Sequence, residues 1–170
     1  MTVMEAIEKR KSIRAYLDRP IPPATLEAVL QAGRLAPSAR NQQAWKFVVA
    51  TEPALREQLA EACCGQRFVA QAPAVLVLCA DQAAQMRCGQ PARTVDCSIA
   101  LSFMMLEAAE QGLGTCWLGA FEQEGVRRAL HIPPEYDIVA VSPLGYPAEE
   151  GRPRSRKPLE ELVVRERWAD

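Results

Sequence analysis

The stretch Ile99-Ala100-Leu101-Ser102-Phe103-Met104-Met105-Leu106-Glu107-Ala108-Ala109-Glu110-Gln111-Gly112-Leu113-Gly114 decides how this chain is read. It belongs to a helix expected over about 93–111. The apolar residues Ile99, Leu101, Phe103, Met104, Met105, Leu106, Ala108 and Ala109 lie nearly all round that helix. Such a helix must be buried, either centrally or against a partner subunit. Gly112 and Gly114 stop it. Upstream, Ala74-Val75-Leu76-Val77-Leu78-Cys79-Ala80 has strand length and no polar residue, which reads as a strand buried on both faces. Downstream, Thr115-Cys116-Trp117-Leu118 reads as a short strand.

Working outward, Thr2 and Glu5 form a capping box for a first helix whose apolar face is Met4, Ala6 and Ile7. Pro20-Ile21-Pro22-Pro23 breaks the chain before a second helix, 23–34, with Leu26, Val29 and Leu30 on one face. Trp45–Ala50 is a strand. Thr51 is expected to cap a helix over 52–64, with Pro53 in its first turn. A further helix is expected over 122–130 and a strand over 137–145, with Pro143 near its end. The tail from Arg152 through Pro153 to Pro158 is extended and basic, and Leu159–Val164 is expected to pair as a strand. With no repeat or linker, residues 1–170 read as one mixed α/β domain.

The 170 residues are 49% hydrophobic and 24% charged, as in a soluble globular protein. A net charge of −1 argues against a general nucleic-acid binder. No apolar run approaches the roughly 20 residues of a bilayer span, and no secretory signal is visible, so a cytoplasmic protein without membrane partners is expected. The six cysteines contain no CxxC pair and read as buried hydrophobes or free thiols, with no metal site. The single histidine, His131, sits where a helix runs out. Histidine-based triads and most zinc sites are therefore unavailable, and a cofactor is the natural source of chemistry.

Four segments carry polar or small residues suited to such a cofactor. Arg10, Lys11, Ser12 and Arg14 can wrap a phosphate, or form a solvated loop. Pro37-Ser38-Ala39-Arg40-Asn41-Gln42-Gln43 offers amides for the polar edge of a planar heterocycle, or is a plain helix-to-strand connection. Gly119 and Ala120, after Trp117 and Leu118, allow close backbone approach to a flat ligand, or end an edge strand. Arg154 and Arg156 project the same way from an extended chain and could complete the phosphate site, or form a floppy basic tail. No GxGxxG is present, so a Rossmann dinucleotide site is not supported.

In conjunction and order, these segments resemble the short form of the FMN-dependent nitroreductase family. They are Arg-basic-Ser-x-Arg, Pro-Ser-x-x-Asn-x-Gln-x-Trp, Gly-Leu-Gly-x-x-Trp-x-Gly, and Gly-Tyr-Pro with an Arg-x-Arg tail. The likeness runs from Met4 to about Val164. It implies an α+β fold with a central, mostly antiparallel sheet flanked by helices, in an intertwined homodimer. Arg10, Lys11, Ser12 and Arg14 would contact the phosphate and ribityl chain of FMN, with Arg154 and Arg156 approaching the same phosphate. Pro37, Ser38, Ala39 and Asn41 would meet the flavin from the other subunit. Trp117, Leu118, Gly119 and Ala120 would line the isoalloxazine, with a backbone N–H near N5. The helix at 93–111 would be the dimer core. The implied reaction is ping-pong: NADH or NADPH delivers hydride to flavin N5, and a nitroaromatic, quinone or related small-molecule acceptor takes the reducing equivalents. No catalytic side chain is required. Two departures stand out: Ala44 replaces the proline usual before the tryptophan, and Gln66-Arg67-Phe68 supplies no evident lysine near the flavin pyrimidine edge. The resemblance also admits dehalogenating, flavin-fragmenting or azoline-oxidising specialists, and a non-catalytic flavin binder remains the alternative.

Overall fold

A computed structural model describes residues 1–81, 83–152 and 154–168; Pro153 of the basic tail lies outside them. Its centre is β2 (Ala74–Ala80), buried at every residue as its unbroken apolar run predicts. β2 pairs antiparallel with β1 (Trp45–Ala50) and with β4 (Asp137–Gly145), and the short β3 (Gly114–Thr115) adds antiparallel to β4. The order across the sheet is β1-β2-β4-β3.

Alternation along β2 divides the core into two layers. Leu76 and Leu78 meet Val29, Leu101 and Met104 of α2 (Pro23–Arg34) and α5 (Ala92–Glu110). Val75, Val77 and Cys79 face the opposite layer, built from α3 (Pro53–Ala62), α4 (Phe68–Gln71) and α6 (Gln123–Leu130), where Leu59, Val69 and Val126 are fully buried. Each such side chain contributes about 1.5–3 kcal/mol of burial. The expected architecture, a mostly antiparallel sheet flanked by helices, is the one observed.

α1 (Val3–Lys9) begins with the anticipated capping box: Thr2 Oγ1 accepts from the Glu5 N–H, and Glu5 Oε2 accepts from the Thr2 N–H. Its apolar face is only partly used, because Ala6 is buried while Val3, Met4 and Ile7 are exposed. α5 buries Leu101, Met104 and Met105 inward, but Phe103 is exposed and Val95, Ile99 and Leu106 are half-buried on its outer side. Gly112 terminates α5 with φ +73°, a conformation that side-chain-bearing residues adopt at a cost.

Several local expectations differ from the fold. Thr51 does not cap α3. The cap position is Glu52, without a side-chain bond, and Pro53, the first helical residue, has no N–H to leave unsatisfied. The strand expected over 115–118 shrinks to β3 plus one bridge between Leu118 and Val141. Leu159–Val164 does not pair as a strand; Leu159–Leu162 forms the short helix α7. Pro158 before it and Glu160 and Glu161 in its first turn favour a helix start. α4 was not anticipated, being a single turn.

All six cysteines are free. Burial pushes the Cys63 and Cys97 thiols up to about 12, and raises Cys79 and Cys116 as well. The reactive thiolate is correspondingly scarce at these four sites. Cys64 and Cys88 are exposed. Titration of the native protein with a chromogenic disulfide at pH 8 is expected to modify Cys64 and Cys88 rapidly and the other four only after denaturation. Fast modification of Cys63 or Cys97 would contradict the packing described.

Candidate functional site

Helix α1 gives way to extended backbone at Arg10. The segment that follows docks on the free edge of β3. The Ile13 N–H donates to Thr115 O at 2.9 Å, and Ser12 forms a parallel bridge with Thr115. Ile13 is buried, and alternation leaves Ser12 and Arg14 on the exposed side. Tyr16, also buried, donates its hydroxyl to Ile13 O at 2.8 Å. Gly114 permits this docking, since a Cβ there would stand 2.6 Å from Ile13 Cγ1.

The other end of the chain returns beside the same segment. The Leu17 N–H donates to Tyr146 O and the Ala148 N–H to Ala15 O. Arg19 lies over the Tyr146 ring at 3.8 Å. At Gly151 the backbone comes so close that a Cβ would be 2.6 Å from Lys11 Cβ. Arg152, Arg154 and Arg156 are thereby brought opposite Arg10, Lys11, Ser12 and Arg14 around a cavity of about 660 Å³, which Ile7, Glu8 and Glu149 complete. Six cations thus face two carboxylates. Among the described residues, none of the six forms an ion pair. Clustered, unpaired cations raise a local potential that an anion relieves. Glu149 belongs to no motif, and the sequence marks Arg152 only as part of the basic tail, so neither is a sequence-predicted site residue. Cys116 borders the same region; burial raises its thiol against the opposing influence of Arg14, Ser12 and Arg10.

Trp117–Ala120 runs on from β3. Leu118 is held by its N–H to Val141 O at 2.9 Å, and Trp117 packs against the α2/α5 layer. Gly119 and Ala120 are exposed, and the space a Cβ would take at Gly119 is open. The Gln66 amide donates to Cys63 O at 2.8 Å and to Ala120 O at 3.3 Å, tying the loop before α4 to this segment. The sequence places Gln66 in the segment compared with the flavin pyrimidine edge but does not show its bond to Ala120.

The Pro37–Gln43 loop lies elsewhere. It leads into Trp45, which pairs with Ala80, whereas Thr115 and Leu144 align with Ala74 at the opposite end of β2. The two ends are separated by six residue steps, roughly 20 Å. Pro37, Ser38, Ala39 and Asn41 therefore do not line the cationic cavity of their own chain. The loop contains a single 3₁₀ turn, Ala39–Asn41, with Arg40, Asn41 and Gln43 all at φ between 51° and 54°. Ser38 Oγ accepts from the Gln43 N–H at 3.1 Å, and the Ala39 N–H donates to Asp96 Oδ1 at 3.0 Å. Asp96 is a buried carboxylate within the apolar helix α5.

No helix among the described residues is long and apolar enough to cross a membrane. The same residues contain no group of acidic, cysteine and histidine side chains that could hold a metal ion.

Comparison with known proteins matches the Nitroreductase family over residues 7–92 and 63–146. A Thermus thermophilus protein named NADH dehydrogenase is 38% identical, the alignment covering 92% of each chain. A Bacillus subtilis protein named FMN reductase [NAD(P)H] is 25% identical over 98% of this chain and 74% of its own. The crystal structure of a nitroreductase family protein from Clostridium novyi superposes with a TM-score of 0.84 at 30% identity, covering 88% of this chain and 87% of that one. With the family match spanning both the central sheet and the Arg10–Arg14 segment on its edge, the chain belongs to the nitroreductase family.

Proposed function

We propose that this protein is an NAD(P)H-dependent oxidoreductase that binds FMN, its phosphate held in the cationic cavity and its ring against Trp117–Ala120. The observation that carries the reading is the convergence of Arg10, Lys11 and Arg14 with Arg152, Arg154 and Arg156 around one cavity without ion pairs of their own among the described residues. Guanidinium groups suit a phosphate dianion, since each offers paired donors in a planar fork. The relatives named NADH dehydrogenase and FMN reductase support both the donor and the cofactor.

FMN would supply the redox chemistry, taking hydride from NADH or NADPH and passing reducing equivalents to a nitroaromatic, quinone or similar acceptor. The chain's own residues do the rest. Arg10, Lys11, Ser12 and Arg14 bind and orient the phosphate from one side, and Arg154 and Arg156 close on it from the other. Trp117 and Leu118 back the ring. The Leu118 N–H is committed to Val141 O, so a backbone donor toward the ring would come from Trp117, Gly119 or Ala120. Gly119 leaves open the space that close contact with a flat ligand needs.

A homodimer completes the site in this reading. Ser38, Ala39 and Asn41 lie at the far end of the sheet from the cationic cavity of their own chain, and in this reading they meet a flavin held by a second copy. The exposed apolar residues agree. Val3, Met4 and Ile7 on α1, Phe103 on α5, and Leu159, Leu162, Val163, Val164 and Trp168 of the C-terminal arm are uncovered in one chain. Exposed apolar side chains on these elements offer surface for association.

Anaerobic addition of NADH or NADPH to the purified protein is expected to bleach absorbance bands near roughly 370 and 450 nm. Bands that persist would favour a non-catalytic binder or a specialist with another reductant, and no flavin uptake from added FMN would refute the reading. Arg10→Ala is expected to weaken FMN binding about tenfold or more, with the wild-type affinity falling as salt is raised. Subunit mixing tests the shared site. Arg10→Ala and Asn41→Ala variants, each impaired alone, should regain turnover when mixed, because one site of the hybrid dimer takes neither substitution. No recovery despite verified hybrids would refute assembly of the site across two chains.

A further inference from the structure

Helix α5 carries one residue that its packing does not explain. Asp96 is 4% exposed and sits among Ala92, Cys97 and Ala100, which are likewise buried. Placing a carboxylate in such surroundings is costly unless its oxygens are bonded. Oδ1 accepts from the Ala39 N–H at 3.0 Å, while Oδ2 has no hydrogen-bond partner among the described residues. A buried apolar side chain would pack here without that cost, so the acid points to a task.

The bonded partner shows what the task is. Ala39 opens the 3₁₀ turn of the Pro37–Gln43 loop, 57 positions away in sequence. Three side-chain-bearing residues of that loop, Arg40, Asn41 and Gln43, hold left-handed backbone conformations. Such conformations persist only where the surroundings over-determine them. Within the loop, the Gln43 N–H bonds Ser38 Oγ and the Asn41 N–H bonds Ser38 O, but these bonds join the loop to itself. The bond to Asp96 ties it to a long, buried helix.

We infer that Asp96 is a positioning residue for the cofactor site: from the core of α5 it fixes the left-handed Pro37–Gln43 loop so that Ser38, Ala39 and Asn41 stand ready for the flavin held by the partner chain. The inference rests on the cofactor reading above for its purpose, and on the Ala39–Asp96 bond for its mechanism. One acceptor oxygen suffices for the anchor. Asparagine at 96 keeps that acceptor, whereas alanine removes it.

The test uses the full-length protein and its Asp96→Ala and Asp96→Asn variants, with Leu59→Ala in the opposite core layer as a control for lost stability. Amide hydrogen exchange over 38–43 is measured without flavin, and FMN affinity by fluorescence quenching. Asp96→Ala is expected to speed exchange of the loop amides while the β2 amides stay protected, and to weaken FMN binding about tenfold. Asp96→Asn should retain both properties near wild-type levels. Leu59→Ala should lower the melting temperature without moving either readout. Loop exchange unchanged in Asp96→Ala would overturn the anchor. Wild-type affinity for FMN in Asp96→Ala would overturn the positioning role while leaving the cofactor reading intact. Should Asp96→Ala fail to fold, an Asp96→Asn variant with a loosened loop and weakened FMN binding would overturn the proposal. Failure of the wild type itself to take up FMN would count against the cofactor reading and against the purpose assigned to Asp96.

Discussion

The pairing of Ser12 and Ile13 with Thr115 is the contact on which the candidate site depends. It turns the end of α1 into an extra extended segment on the β3 edge. Once Ile13 is buried there, alternation leaves Ser12 and Arg14 outward. The Tyr16 hydroxyl on Ile13 O and the return of Tyr146–Ala148 alongside Ala15–Leu17 hold the same segment from its other side. Gly151 then brings the C-terminal arginines against Lys11. The edge pairing and the Leu17–Tyr146 and Ala148–Ala15 bonds together bring the N-terminal and C-terminal cations to one place.

The sheet sets a second constraint. β2 is buried on both faces and keeps the two ends of the molecule apart. One end carries the cationic cavity and the other carries the Pro37–Gln43 loop. Both groups belong to the motifs that resemble a flavin enzyme, yet one chain does not bring them together. Leu159, Leu162, Val163, Val164 and Trp168 of the C-terminal arm are exposed. The inner face of α5 is packed in the fold, and its outer face leaves Phe103 exposed.

The positions misread from sequence have local explanations. Thr51 reads as a helix cap, but the helix starts at Pro53, whose fixed φ suits the first helical position, and this makes Glu52 the cap residue. Leu159–Val164 looked strand-like from its apolar residues, but Pro158 and the acidic pair Glu160 and Glu161 start a helical turn. Asp96 was passed over because a single acid in an apolar helix does not alter its pattern. Its burial and its bond to Ala39 come from packing across 57 positions.

The elements themselves were legible because their signals are short-range. The Thr2/Glu5 capping box, the unbroken apolar run 74–80, the helix 23–34 between prolines and Ala36-Pro37, and the glycine stop at 112 act over a few residues of backbone. The motif residues were legible too, as types in order along the chain. Their geometry was not. Whether Arg154 and Arg156 meet Arg10–Arg14 depends on hydrogen bonds between positions more than a hundred residues apart, Ile13 with Thr115 and Leu17 with Tyr146. Local sequence carries no record of such pairings. Composition and periodicity determined which helices and strands form; the tertiary structure decided which charges face one another, because only long-range packing sets the distance between them.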